Sequence, residues 1–137
     1  MTIAPLPRAT AADVAVVFLD LQTEIVKSNH TCESLEAHAG ALAKLAALHR
    51  LPAIASSVPP GGAYLATVVG ALPSIAPIER VFTSAFADVA TVDAIAATGR
   101  RTLVLAGVAS EVVVQRTALD ALAAGYTVWL PSTPAAA

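Results

Sequence analysis

Five short apolar runs, each closed by polar or turn-forming residues, alternate with longer segments of helical spacing, and this alternation constrains the fold more than any other feature. The runs are Val14 to Leu19, Ala53 to Ala55, Ile78 to Phe82, Leu103 to Ala106 and Thr127 to Leu130. Unbroken hydrophobicity over so few residues marks strands buried on both faces. Between the runs, Ser34 to His49, Ala63 to Leu72, Val89 to Thr98 and Ser110 to Ala124 read as helices. Strand and helix in alternation predict an α/β fold, a parallel sheet with helices on both faces. Gly99 and Gly125 follow two of the helical segments, where a left-handed residue ends a helix. Ser110 stands where a helix is capped, with Glu111 in its first turn.

At 137 residues the chain is expected to form a single domain, residues 1–137. Apolar residues make up 56% of it and charged residues 13%, which excludes a disordered chain. A domain of this size buries enough surface to fold without disulfides, and the lone Cys32 has no partner for one. Eight scattered Lys and Arg against ten Asp and Glu give a net charge of -2, so no nucleic-acid footprint is expected. The run ending at Leu19 is too short for a signal peptide or a membrane span, and a cytoplasmic protein without membrane partners is expected. So little charge leaves apolar surface for a partner subunit to cover, which predicts a homo-oligomer.

In such sheets ligands bind beyond the carboxyl ends of the strands. The residues there are Asp20, Ser56 and Ser57, Thr83 to Phe86, and Gly107 to Val114. Asp20 is either a turn or helix cap or a base or charge partner in a site. Arg80 is either a surface cation or part of that site. The turn Gly107-Val108-Ala109-Ser110 points backbone N–H groups at whatever binds there, as many α/β turns do. His38 and His49 stand about 16 Å apart along their helix at 1.5 Å per residue, too far to share a metal ion.

Taken in order, Phe18-Leu19-Asp20-Leu21-Gln22, then Arg80 ahead of Ser84-Ala85-Phe86, then Leu103 through Val114, then Thr117-Ala118-Leu119-Asp120-Ala121 and Gly125-Tyr126, the chain resembles the isochorismatase-like cysteine hydrolases. Nearly the whole sequence takes part in the resemblance. It implies a three-layer α/β/α sandwich of Rossmann-like type with strand order 3-2-1-4-5. It also implies hydrolysis of a small amide, imide or vinyl ether, as in nicotinamidases, N-carbamoylsarcosine amidases and isochorismatases. Members usually continue into a further helix and a sixth strand where this sequence reaches Leu130-Pro131-Ser132-Thr133, so a sixth strand is expected to be missing.

The resemblance places the catalytic Asp at Asp20, the catalytic Lys at Arg80 and the catalytic Cys at Val113. It also places an oxyanion hole at Val108, Ala109 and Val113, with a cis peptide between Val108 and Ala109. Two of the three catalytic positions depart from the pattern. An isopropyl group has no lone pair for attack on a carbonyl, and a guanidinium stays charged where a lysine can shuttle a proton. The expectation is therefore a degenerate family member. Its Asp20–Arg80 pair would have donors left for a small carbonyl or carboxylate ligand. The alternative is an active hydrolase with an unconventional nucleophile. Cys32, Ser110 and Thr117 are candidates for that role, and each has a packing or capping explanation. Where some nicotinamidases carry metal ligands, this chain has Ser56-Ser57-Val58-Pro59-Pro60-Gly61-Gly62, so neither a metal nor a cofactor is expected.

Overall fold

The computed structural model describes residues 10–27, 32–107 and 110–131. Its centre is strand β1 (Val14–Leu19), buried along its whole length. β1 pairs in parallel with β2 (Ala53–Ser57) on one side and with β4 (Thr102–Gly107) on the other. β3 (Ile78–Glu79) and β5 (Thr127–Trp129) complete the sheet in the expected order β3-β2-β1-β4-β5.

Side chains alternate across a strand, and β1 therefore feeds two cores. Ala15, Val17 and Leu19 pack with Ile95, Val114, Ala118 and Ala121, which belong to the chain leading through α4 (Val89–Ala97) and into α5 (Gln115–Ala123). Val16 and Phe18 pack on the opposite face with Val26, Ala39, Ala43, Ala46 and Val68. These come from α1 (Thr23–Lys27), α2 (Cys32–Leu48) and α3 (Ala66–Ala71). α2 contributes three small alanines, Ala39, Ala43 and Ala46, to this second core.

Gly99 and Gly125 have φ of 69° and 96°, the left-handed geometry that ends α4 and α5. Asp88 caps α4, its side chain accepting the Thr91 N–H at 3.0 Å. The third apolar run is shorter as a strand than its composition predicts. The chain leaves the sheet after Glu79, Arg80 turns inward, and Val81 and Phe82 stand 80% and 52% exposed. The segment after β4 opens as a π-helical turn (Ser110–Val114) before α5 begins. Among the described residues, no helix is long and apolar enough to cross a membrane.

Candidate active site

β1 ends at Asp20, whose φ of 56° is left-handed. Asp tolerates this region better than most residues. The turn is pinned on both sides, because the Asp20 N–H donates to the Ser56 carbonyl at 3.0 Å and the Gln22 N–H donates to the Asp20 carbonyl at 2.8 Å. The carboxylate is thereby set at the carboxyl ends of β1 and β2, with only 4% of the residue exposed.

Arg80 reaches the same point from the far side of β2. Its N–H donates to the Ser57 carbonyl at 2.8 Å, and its side chain then runs inward, leaving the residue 2% exposed. Nη1 donates to Asp20 Oδ1 at 2.6 Å and to Ser56 Oγ at 2.8 Å. Nη2 donates to Asp20 Oδ2 at 3.0 Å and to the Thr83 carbonyl at 3.2 Å. The pair is bidentate and charge-assisted, the strong geometry for Arg and carboxylate. Nε is buried without a partner among the described residues. Each terminal nitrogen is engaged twice within the protein, so Nε–H is the donor that the pair leaves over. The surface reading of Arg80 is corrected.

Val113 lies in the π-helical turn after β4, half-buried against the core cluster that holds Leu19, Ala85 and Val114. Leu19 pairs with Gly107 at the end of β4, and Val113 and Val114 share the core cluster that holds Leu19. Val108 and Ala109, with the cis peptide expected between them, lie outside the described residues. Thr117 is fully buried and its Oγ1 accepts the Ala85 N–H at 3.1 Å, which ties α5 to the Ser84-Ala85-Phe86 element. Ser84 Oγ accepts the Phe86 N–H at 3.1 Å and caps the 3-10 turn there.

Two supports of the site did not stand out in the sequence. Tyr64 donates its hydroxyl to the Phe18 and Ser56 carbonyls at 3.0 and 2.9 Å, and burial pushes its phenol well above the usual range. Gln22 clamps the chain after β2, with Nε2 donating to the Val58 and Gly62 carbonyls and Oε1 accepting the Val58 N–H. Polar residues in loops are common, and nothing local marks Tyr64 as a partner of Phe18 or Gln22 as a partner of Val58 and Gly62, all distant in sequence. Among the described residues, no cluster of three His, Cys, Asp or Glu side chains could hold a metal ion.

The sequence from residue 14 to residue 136 matches the family model of the isochorismatase domain. The chain belongs to the isochorismatase family. Solved structures agree. The YcaC gene product of Escherichia coli, described as an octameric hydrolase of unknown specificity, superposes with a TM-score of 0.86 at 28% identity, over 93% of this chain and 66% of that one. YcaC from Pseudomonas aeruginosa, with hexane-2,5-diol and covalent acrylamide, gives the same TM-score of 0.86 at 27% identity, again over 93% of this chain and 66% of that one. An isochorismatase family protein from Burkholderia thailandensis, at 22% identity and a TM-score of 0.78 over 92% and 80% of the two chains, shares the fold. The chain thus spans just under two thirds of either YcaC protein. Among curated proteins, none matches this sequence significantly.

Two grooves open near this end of the isochorismatase-family fold. One, of about 640 Å³, is almost wholly apolar and runs between Leu35 and Leu42 of α2 and Leu119 and Leu122 of α5. The other, of about 450 Å³, is bounded by Thr83, Val112, Gln115, Arg116 and Leu119. Neither has Asp20 or Arg80 in its lining.

Proposed function

We propose that this chain is an isochorismatase-family protein that has lost the family's thiol chemistry and serves as a scaffold with a small-molecule pocket. The observation that carries the reading is the engagement of Asp20. Both its carboxylate oxygens accept from Arg80, a residue that cannot exchange a proton at neutral pH. A general base needs a free lone pair aimed at the proton it removes. Asp20 in this state has a guanidinium in that place. The resemblance puts the attacking sulfur at position 113, where Val113 offers only methyl groups to the core.

An unconventional nucleophile finds little support. Thr117 is fully buried behind the Ala85 amide, and Ser56 Oγ accepts from Arg80. Neither has a histidine bonded to it to act as the activating base. Assembly into a homo-oligomer in the cytoplasm completes the proposal, supported by the low charge of the chain and by the octameric Escherichia coli relative.

The test is turnover of nicotinamide, N-carbamoylsarcosine and isochorismate by the purified protein, with and without iodoacetamide. Product release at the buffer rate is expected for all three. Turnover that alkylation abolishes would overturn the proposal and move the chemistry to Cys32.

A further inference from the structure

Arg80 is spent on Asp20, but a second arginine at the same end of the fold is not. Arg116 lines the 450 Å³ groove and has no ion-pair or hydrogen-bond partner among the described residues. Asp120, one helical turn further along α5, is well placed in sequence for an i,i+4 pair, yet the two do not come within 4.0 Å. Gln115 and Thr83 likewise bring polar side chains to the groove, with no hydrogen-bond partner for those side chains among the described residues. Val112 and Leu119 supply apolar walls, and both are more than half exposed. The groove adjoins the family site directly, since Val112 precedes Val113 and the Thr83 carbonyl receives Arg80 Nη2.

We propose that this groove binds a small monocarboxylate with a compact apolar body, Arg116 serving as the counter-ion. A free guanidinium beside an amide and a hydroxyl fits a carboxylate, which accepts several hydrogen bonds in a plane. The walls of Val112 and Leu119 fit a ring or a short branched chain rather than a sugar. Arg116 is the one cation among the described lining residues, which favours one negative charge over a phosphate dianion. The volume lies within the range of small-ligand pockets, at about 300 to 1,000 Å³. With a net charge of -2, the protein as a whole does not attract anions, so binding must come from this local arrangement. The inference rests on the reading of a retained small-molecule pocket but not on the lost thiol, because Arg116 holds a carboxylate equally well whether or not hydrolysis occurs.

Titration of the ¹⁵N-labelled full chain with sodium benzoate and, separately, with the neutral benzamide tests this by NMR. Benzoate is expected to saturate and to move the amides of Thr83, Val112, Gln115 and Arg116, with benzamide at least tenfold weaker. Arg116→Gln should weaken benzoate at least tenfold. Arg101→Gln, an exposed arginine away from the groove, should leave it at the wild-type value. Equal binding of benzoate and benzamide, an Arg116→Gln variant that binds like wild type, shifts centred on Leu35 and Leu42, or no saturation at all would each overturn the proposal.

Discussion

Arg80 grips both carboxylate oxygens of Asp20 inside the protein, at 2.6 and 3.0 Å, across 60 residues of sequence. Neither partner has appreciable solvent around it, with side chains 0% and 6% exposed. Removing one member of such a pair strands the other, which typically costs about 3 to 5 kcal/mol. Arg80→Met should therefore lower the unfolding free energy by about that amount in urea. Adding Asp20→Asn to it should recover part of the loss, because the stranded charge is gone. Wild-type stability in Arg80→Met would mean that the pair does not form in solution.

Tyr64 links the end of β1 to β2 through its two carbonyl acceptors. Burial is the main cause of its raised pKa, from an ordinary value of 10.0. The folded protein therefore prefers the neutral phenol. That preference costs nothing below pH 10, where the unfolded chain is neutral too. Above it the unfolded chain ionises first, and stability falls as pH rises. Denaturation at pH 8 and pH 11 should show a loss in the wild type larger than in Tyr64→Phe. An equal loss in both would place the alkaline sensitivity elsewhere.

Gln22 makes three hydrogen bonds to the segment after β2, to Val58 twice and to Gly62 once. At roughly 1 kcal/mol net for each, Gln22→Ala should cost on the order of 2 to 3 kcal/mol. Its local signature is faster hydrogen exchange at the Val58 amide, which donates to Gln22 Oε1 at 2.9 Å. Unchanged exchange there would show that the backbone holds this segment without help.

Leu119, Leu122, Trp129 and Leu130 are 52%, 53%, 42% and 54% exposed at one side of the molecule, near the apolar groove between α2 and α5. Patches of this kind mark association surfaces. Light scattering should return a multiple of 13.8 kDa, and Leu122→Glu should shift the population towards smaller species. A 13.8 kDa species alone at micromolar concentration would rule out self-association.

The central strands were legible in the sequence because burial on both faces leaves a continuous apolar run: β1 occupies Val14–Leu19, bounded by Asp13 and Asp20. The same reasoning over-extended β3, since Val81 and Phe82 are apolar but exposed, and hydrophobicity cannot reveal where a chain leaves the sheet. α1 is too short at 5 residues to show a period. Asp20 and Arg80 stand out in the sequence by their places near the carboxyl ends of predicted strands, and the family resemblance brings them into one site. Their bidentate geometry depends on how far β2 holds β1 and β3 apart, which no local pattern encodes. Arg116 passed unnoticed for a related reason. Its spacing from Val112 and Leu119 is ordinary for a helix, and only the position of Thr83 across from it makes a groove.

On the proposed reading, position 113 lacks the nucleophile and Arg80 holds Asp20 out of use. The most direct measurement compares product release from the same amide and vinyl ether panel by the wild type and by a Val113→Cys, Arg80→Lys double variant in one buffer. Release at the buffer rate is expected from the wild type, and a rate above it from the double variant. Wild-type release above the buffer rate and equal to or faster than the variant's would contradict that reading.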